Sequence, residues 1–157
     1  MIAAGPLDLS TAARLLVVGY RYWDEARGDR PMPTRADIQP ERIVQLLPNI
    51  MLIDVLRDPA DFRYRLVGTQ IDFYAAARYT GKRMSEIPHQ RPPSQIWSEF
   101  ARVVNDGQPT LNKTPYVGAQ RDFLSIEHLV CPLGCDGIVT MLFCVVEFLP
   151  RTGVDME

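Results

Sequence analysis

The chain has 157 residues, 46% of them hydrophobic and 23% charged, which suits one folded domain with a real core and excludes disorder or a two-domain layout as the default. A formal charge of −2 gives nucleic acid or an acidic lipid surface no basic field to find, so neither is expected as a partner. No apolar run approaches a membrane span, Met1 to Pro6 has no signal-like core, and three cysteines read as reduced thiols, so the expected location is the cytoplasm.

Asp8 or Ser10 is placed to cap a helix running to about Arg27, with Gly28 as its stop. Leu9, Ala12, Leu16, Tyr20 and Trp23 form a stripe at helical spacing, and Leu15, Val18 and Tyr22 widen it beyond one packing surface. Two uses stay open. The helix covers the outer face of a sheet, or part of it also pairs with a second copy, which makes the stripe a candidate homodimer interface. Pro31, Pro33, Pro40 and Pro48 then punctuate a loop that holds one short helix, Glu41 to Leu47.

Ile50 to Leu56 reads as a strand, Arg57 to Asp61 as a turn, and Phe62 to Val67 as the antiparallel partner, with Phe62, Tyr64 and Leu66 on the core side. After Gly68, a helix over Thr69 to Ala77 is predicted to press Ile71, Phe73, Tyr74 and Ala77 inward. Thr80-Gly81 breaks it, and a shorter helix starts at Met84. Ser94 caps a helix to about Asn105 with Gly107 past its end, burying Ile96, Trp97, Phe100, Val103 and Val104. Strands follow over Thr110 to Val117, Asp122 to Leu133 and Ile138 to Phe148, with turns at Gly118-Ala119-Gln120 and Gly134 to Gly137; Asp136-Gly137 is a hairpin signal. The expected fold is α+β: a five-stranded antiparallel sheet with short helices on one face and an N-terminal flanking helix. Residues 1–30 form that flank, 31–150 the domain and 151–157 a polar tail.

The order of local motifs resembles a known family. Pro33-Thr34-Arg35-Ala36-Asp37-Ile38-Gln39-Pro40, then Leu46-Leu47-Pro48, Leu52-Ile53-Asp54-Val55, Arg65-Leu66-Val67-Gly68-Thr69 and Thr80-Gly81-Lys82 are similar to the signature of a bacterial PAS-like domain family, over about Trp23 to Phe148. Gln39 stands where that family usually has an acidic residue. The resemblance implies the same five-stranded sheet and a small-molecule cavity between the short helices and the inner sheet face. By that analogy the lining is Tyr64, Leu66, Ile71, Tyr74, Trp97, Phe100, Ile126 and His128. The cofactor stays unknown: neither the cysteine-bearing flavin motif of light-sensing relatives nor a haem-attachment motif is present.

On Asp122 to Leu133, period-two alternation puts Leu124, Ile126, His128 and Val130 on one face and Phe123, Ser125, Glu127, Leu129 and Cys131 on the other. His128 is the one polar group on its face, open to a haem-ligand or ligand-reading role or to a plain core role with a local hydrogen bond. His128, Cys131 and Cys135 lack the paired spacing of a zinc site, so no metal is expected. Cys144 reads as a small buried side chain. Glu127 and Glu147 could face one another as paired carboxylates, though exposed and unpaired positions on the outer sheet face are favoured, while Arg63 and Arg65 grip an anion or pair with carboxylates on a neighbouring strand. Asp54 and Asp72 suit turn or solvent roles.

The favoured reading is a non-catalytic PAS-like sensory or interaction module that binds a small ligand or a signalling protein partner. No output segment is legible, so a signal would leave by association. One alternative is a small cone-shaped α+β enzyme, an isomerase or hydrolase with His128 as base; another is a purely structural dimerisation domain. The site of His128 separates the first two. A cleft beside a carboxylate favours the enzyme, and packing among aliphatics favours the sensor. A pocket filled by its own side chains would favour the third.

Overall fold

The computed structural model describes residues 7–75, 77–116 and 123–150. Its elements are α1 (Arg14–Arg27), β1 (Ile50–Leu56), β2 (Asp61–Val67), α2 (Thr69–Ala75), α3 (Gln95–Asp106), β3 (Thr110–Pro115), β4 (Phe123–Cys135) and β5 (Ile138–Pro150). The strands form one antiparallel sheet in the order β2-β1-β5-β4-β3. The α+β architecture expected from the sequence is therefore present. The Gly118 to Gln120 turn, the first six residues and the 151–157 tail lie outside the described residues.

The first helix begins later than either Asp8 or Ser10 would start it. Asp8 turns its carboxylate onto the Ser10 amide instead. The Ala13 amide at the N-cap is accepted by Glu127 Oε1 at 2.6 Å, across 114 residues of sequence. A distant strand thus supplies the cap that nearby residues were expected to give. Leu16, Gly19 and Trp23 face β4 and β5. A Cβ on Gly19 would stand 2.6 Å from Val145 Cγ2, so only glycine lets the helix sit this close. Trp23 donates its indole N–H to the Pro132 carbonyl at 2.9 Å, which satisfies the one polar atom its burial would otherwise strand.

Between α1 and β1 the chain makes three 3₁₀ turns, Arg35–Asp37, Pro40–Arg42 and Val44–Asn49, in place of the expected helix over Glu41 to Leu47. Pro40 and Pro48 bracket the stretch and leave no room for a run of i to i−4 bonds. At Gln39 the backbone amide donates to the Tyr22 hydroxyl at 2.7 Å, so a tyrosine from α1 holds this turn.

β2 departs from simple alternation. Leu66 pairs with Leu52 and Tyr64 with Ile53, which leaves Arg65 as an extra residue in a bulge. The bulge flips the faces beyond it: Phe62 and Tyr64 are buried as expected, but Leu66 is 39% exposed and Val67 is buried in its stead. α2 also turns differently, with Ile71 inward and Phe73 65% exposed, so that among its described residues it presents a single buried position. The edge of β2 is covered by the following loop, through Tyr64 N–H to Lys82 O and Gly81 N–H to Tyr64 O. Asp61 ties the same loop down by accepting both the amide and the hydroxyl of Ser85.

α3 follows its sequence signals closely. Ser94 Oγ accepts from the Trp97 amide at 3.2 Å, and Gly107 ends the helix in the left-handed region. The β4–β5 hairpin turns through Asp136 and Gly137, both at positive φ. α1 packs on one face of the sheet, and α2, α3 and the 3₁₀ turn Met84–Glu86 on the other.

Candidate functional site

Between the inner sheet face and the short helices lies a cavity of about 650 Å³, a size that accommodates a drug-like molecule. The sheet contributes Met51, Tyr64, Val130, Cys144, Val146 and Phe148. α2 contributes Ile71 and Ala75, α3 contributes Ile96 and Phe100, and the end of β3 brings Thr114 and Tyr116. The Tyr116 hydroxyl donates to the Tyr74 carbonyl at 2.8 Å and so closes β3 against α2 at one end.

Within this apolar shell the polar groups are few and paired. Tyr64 donates its hydroxyl to Gln90 Oε1 at 2.5 Å, and Ser94 Oγ donates to the Gln90 carbonyl. His128 Nε2 meets Glu99 Oε2, while Gln95 Nε2 donates to Glu99 Oε1 at 3.0 Å. Both members of the histidine–carboxylate pair are 9% exposed. α3 places Glu99 three residues after Ile96 and one before Phe100, on the stripe that faces the sheet. Position 128 on β4 points back at it. Burial pushes the Tyr64 phenol well above its usual range, with the neighbouring Cys144 and Tyr79 adding to the rise. Burial does the same to the Cys144 thiol, and the Glu99 charge raises it further. The inner end of the cavity is thus a largely apolar environment with a carboxylate built into it.

Of the eight residues expected to line a cavity, Tyr64, Ile71, Phe100, Ile126 and His128 are brought together there. The other three sit elsewhere. Leu66 is turned to solvent by the bulge. Trp97 packs its ring nearly perpendicular to that of Phe62, with centroids 5.0 Å apart. Tyr74 packs on Phe148 from outside the lining, centroids 4.8 Å apart. Sequence reasoning missed Glu99 and Gln90. For Glu99 a signal was present, a carboxylate inside the Ile96, Phe100, Val103 stripe of an otherwise apolar helix face. For Gln90, in a proline-rich loop, there was none.

The remaining candidates separate by face. Cys131 lies on the opposite face of β4 from His128, Cys135 is exposed in the hairpin, and among the described residues no three metal-ligating side chains converge. Cys144 is buried, as expected. Arg63 and Arg65 both pair with Asp54 of β1, at 3.2 and 3.0 Å, which corrects Asp54 from a solvent role to a buried partner. The expectation of exposed, unpaired carboxylates on the outer face also fails. Glu127 is 4% exposed and binds the Ala13 amide, and Glu147 stands directly across the ladder from it, half-buried. The covering helix α1 is the cause. In the stripe assigned to a dimer, Leu16 and Trp23 are buried against this chain's own sheet, while Leu9, Ala12 and Tyr20 are half-buried.

Comparison with known proteins gives one family match: the model of the PAS domain matches residues 13–143. Among solved structures, a fungal LOV domain photoreceptor is similar at 16% identity, covering 90% of this chain and 96% of that one with a TM-score of 0.44. No curated protein matches the chain.

Proposed function

The chain belongs to the PAS domain family, and from that footing we propose that it is a sensory signalling module whose cavity takes a small ligand and whose occupancy alters what the protein offers a partner. The observation that carries this reading is the cavity itself, about 650 Å³ of apolar space with a buried Glu99–His128 pair aimed into it. The family's folded framework would serve only as a scaffold if that space were filled by side chains, and it is not, which weighs against a purely structural role. We place the protein in the cytoplasm, on its free cysteines, and expect it to dimerise through α1, a point that light scattering on a dilution series decides.

Native mass spectrometry of protein purified from its own host, followed by thermal shift with whatever mass is retained, tests the ligand. At about 100 times Kd a ligand adds roughly 2.7 kcal/mol, or about 5 to 11 °C in a domain of this size. A protein that carries no extra mass and gains no melting temperature from any compound in a broad metabolite screen would overturn the reading.

His128 meets the condition set for the enzyme alternative, since it lies in a cleft beside a carboxylate. That single observation keeps catalysis as a second reading. The strand order 2-1-5-4-3, with its short helices between β2 and β3, argues against the cone-shaped fold that reading assumed. Turnover of an activated ester by the wild type, lost in His128→Gln, would favour the enzyme; equal background rates in both would remove it.

A further inference from the structure

The cavity's charge is one-sided. Among the described residues that line it there is no lysine or arginine, and the carboxylate of Glu99 is the one acidic group. His128 does not reverse this sign, because its Nε2 is held by Glu99 itself. With a neutral imidazole the pair carries one negative charge, and with a protonated one it carries none; while Glu99 stays ionised, the pair is never positive. His89 lines the mouth and is hydrogen-bonded to the Tyr79 hydroxyl at 3.3 Å. Gln90, Ser94, Gln95 and Thr114 add neutral polar groups, and the rings of Tyr64, Tyr79, Tyr116, Phe100 and Phe148 add aromatic faces, which attract cations.

An anionic ligand would leave water here without a fixed counter-charge and in the field of a buried carboxylate. A ligand with an amine gains that same field. We propose, on the strength of the ligand-binding reading above, that the cavity selects an amphipathic organic amine: an aromatic or aliphatic body against the sheet, and a protonated nitrogen directed to Glu99. Nucleotides, phosphorylated cofactors and free carboxylic acids are selected against.

Three probes on one scaffold isolate the charge: tryptamine as cation, tryptophol as neutral alcohol and indole-3-acetate as anion. Binding is measured by calorimetry at about pH 8. Nile red, a neutral apolar dye, reports separately on whether the cavity admits any guest. The expected result is that Nile red binds and that tryptamine binds at least tenfold tighter than indole-3-acetate, with tryptophol between them. In Glu99→Gln the amine should lose its advantage over the alcohol while Nile red binding is retained. If that variant no longer takes up Nile red, the wild-type series decides alone. Nile red binding with the acid equal to or tighter than the amine overturns the charge selection and leaves the ligand reading standing. Exclusion of Nile red and of all three indoles overturns the ligand reading, and this inference with it.

Discussion

Gly68 is where two sequence motifs far apart in the chain touch. A Cβ built on it would lie 2.3 Å from the Pro48 carbonyl oxygen and 2.6 Å from that of Leu47, and both are backbone atoms that cannot swing aside. The Leu46-Leu47-Pro48 motif and the Gly68-Thr69 motif are therefore one contact, tied further by the Gly68 amide donating to Ile50 O at 2.8 Å. Gly68→Ala is expected to cost about 3 kcal/mol, the upper part of the usual range for overpacking, read as a lowered denaturation midpoint at unchanged m-value. Gly107→Ala makes the contrast. Nothing lies within 4 Å of its Cβ, and only the strain of the left-handed conformation at φ +67 opposes it, so about 1 kcal/mol is expected. A cost at Gly68 no larger than this would show that the 47–48 backbone gives way to the added methyl and that the close approach is not limiting. The sequence marked Gly68 as a strand end, which is true and incomplete. What it could not disclose is the identity of the facing atom, since a non-local contact leaves no trace in local periodicity. The same holds for Glu99 and His128, each legible as an oddity on its own element and neither legible as a partner of the other.

At the level of elements, what period and capping chemistry determine was readable: the limits of β1, the start of β5, the Ser94 cap, the Gly107 stop and the Asp136-Gly137 hairpin. What failed was anything decided by a neighbour. The bulge at Arg65 exposes Leu66 because β2 must stay in register with β1 on both sides of the extra residue. The start of α1 is set by Glu127, on a strand, and this has a consequence for pH. Glu147 faces Glu127 across the ladder, and burial first, then the Glu127 charge, lift its carboxyl above the usual 4.5. Between 4.5 and the raised folded value, the folded chain holds a proton that the unfolded chain has released. Stability from this group is therefore present below 4.5 and is lost as pH rises through that window. Glu147→Gln should melt higher than wild type at neutral pH, with the two curves converging below 4.5. The difference between the proteins reports Glu147 together with its coupling to Glu127, because the remaining titrating groups are common to both. Melting temperatures across pH check it, and a gain that is the same at every pH would assign the effect to packing.

Across the whole molecule, β4 is the wall shared by the two layers. Ile126, His128 and Val130 face the cavity, while the residues between and after them, Glu127, Leu129 and Cys131, face the side on which α1 packs. A guest that packs against the first set restrains a strand whose other side holds the N-cap of α1 through Glu127 and approaches Gly19 through Leu129. Neither side can shift along β4 without the other, because one pleated backbone carries both and its pairing with β5 fixes the register. Ligand occupancy should therefore be felt by the helix on the far side of the sheet, with no direct contact between them. Hydrogen exchange reads this directly. With Nile red saturating the cavity, amides of Phe123–Cys135 should slow, and those of Arg14–Arg27 should slow at least twofold with them. The same experiment on Gly19→Val, in which the added side chain meets Val145 and lifts α1 from the sheet, should keep the β4 response and lose the helical one. Slowing confined to β4 in the wild-type protein would mean that α1 opens independently of the cavity, and a signal would then have to leave through the short helices instead.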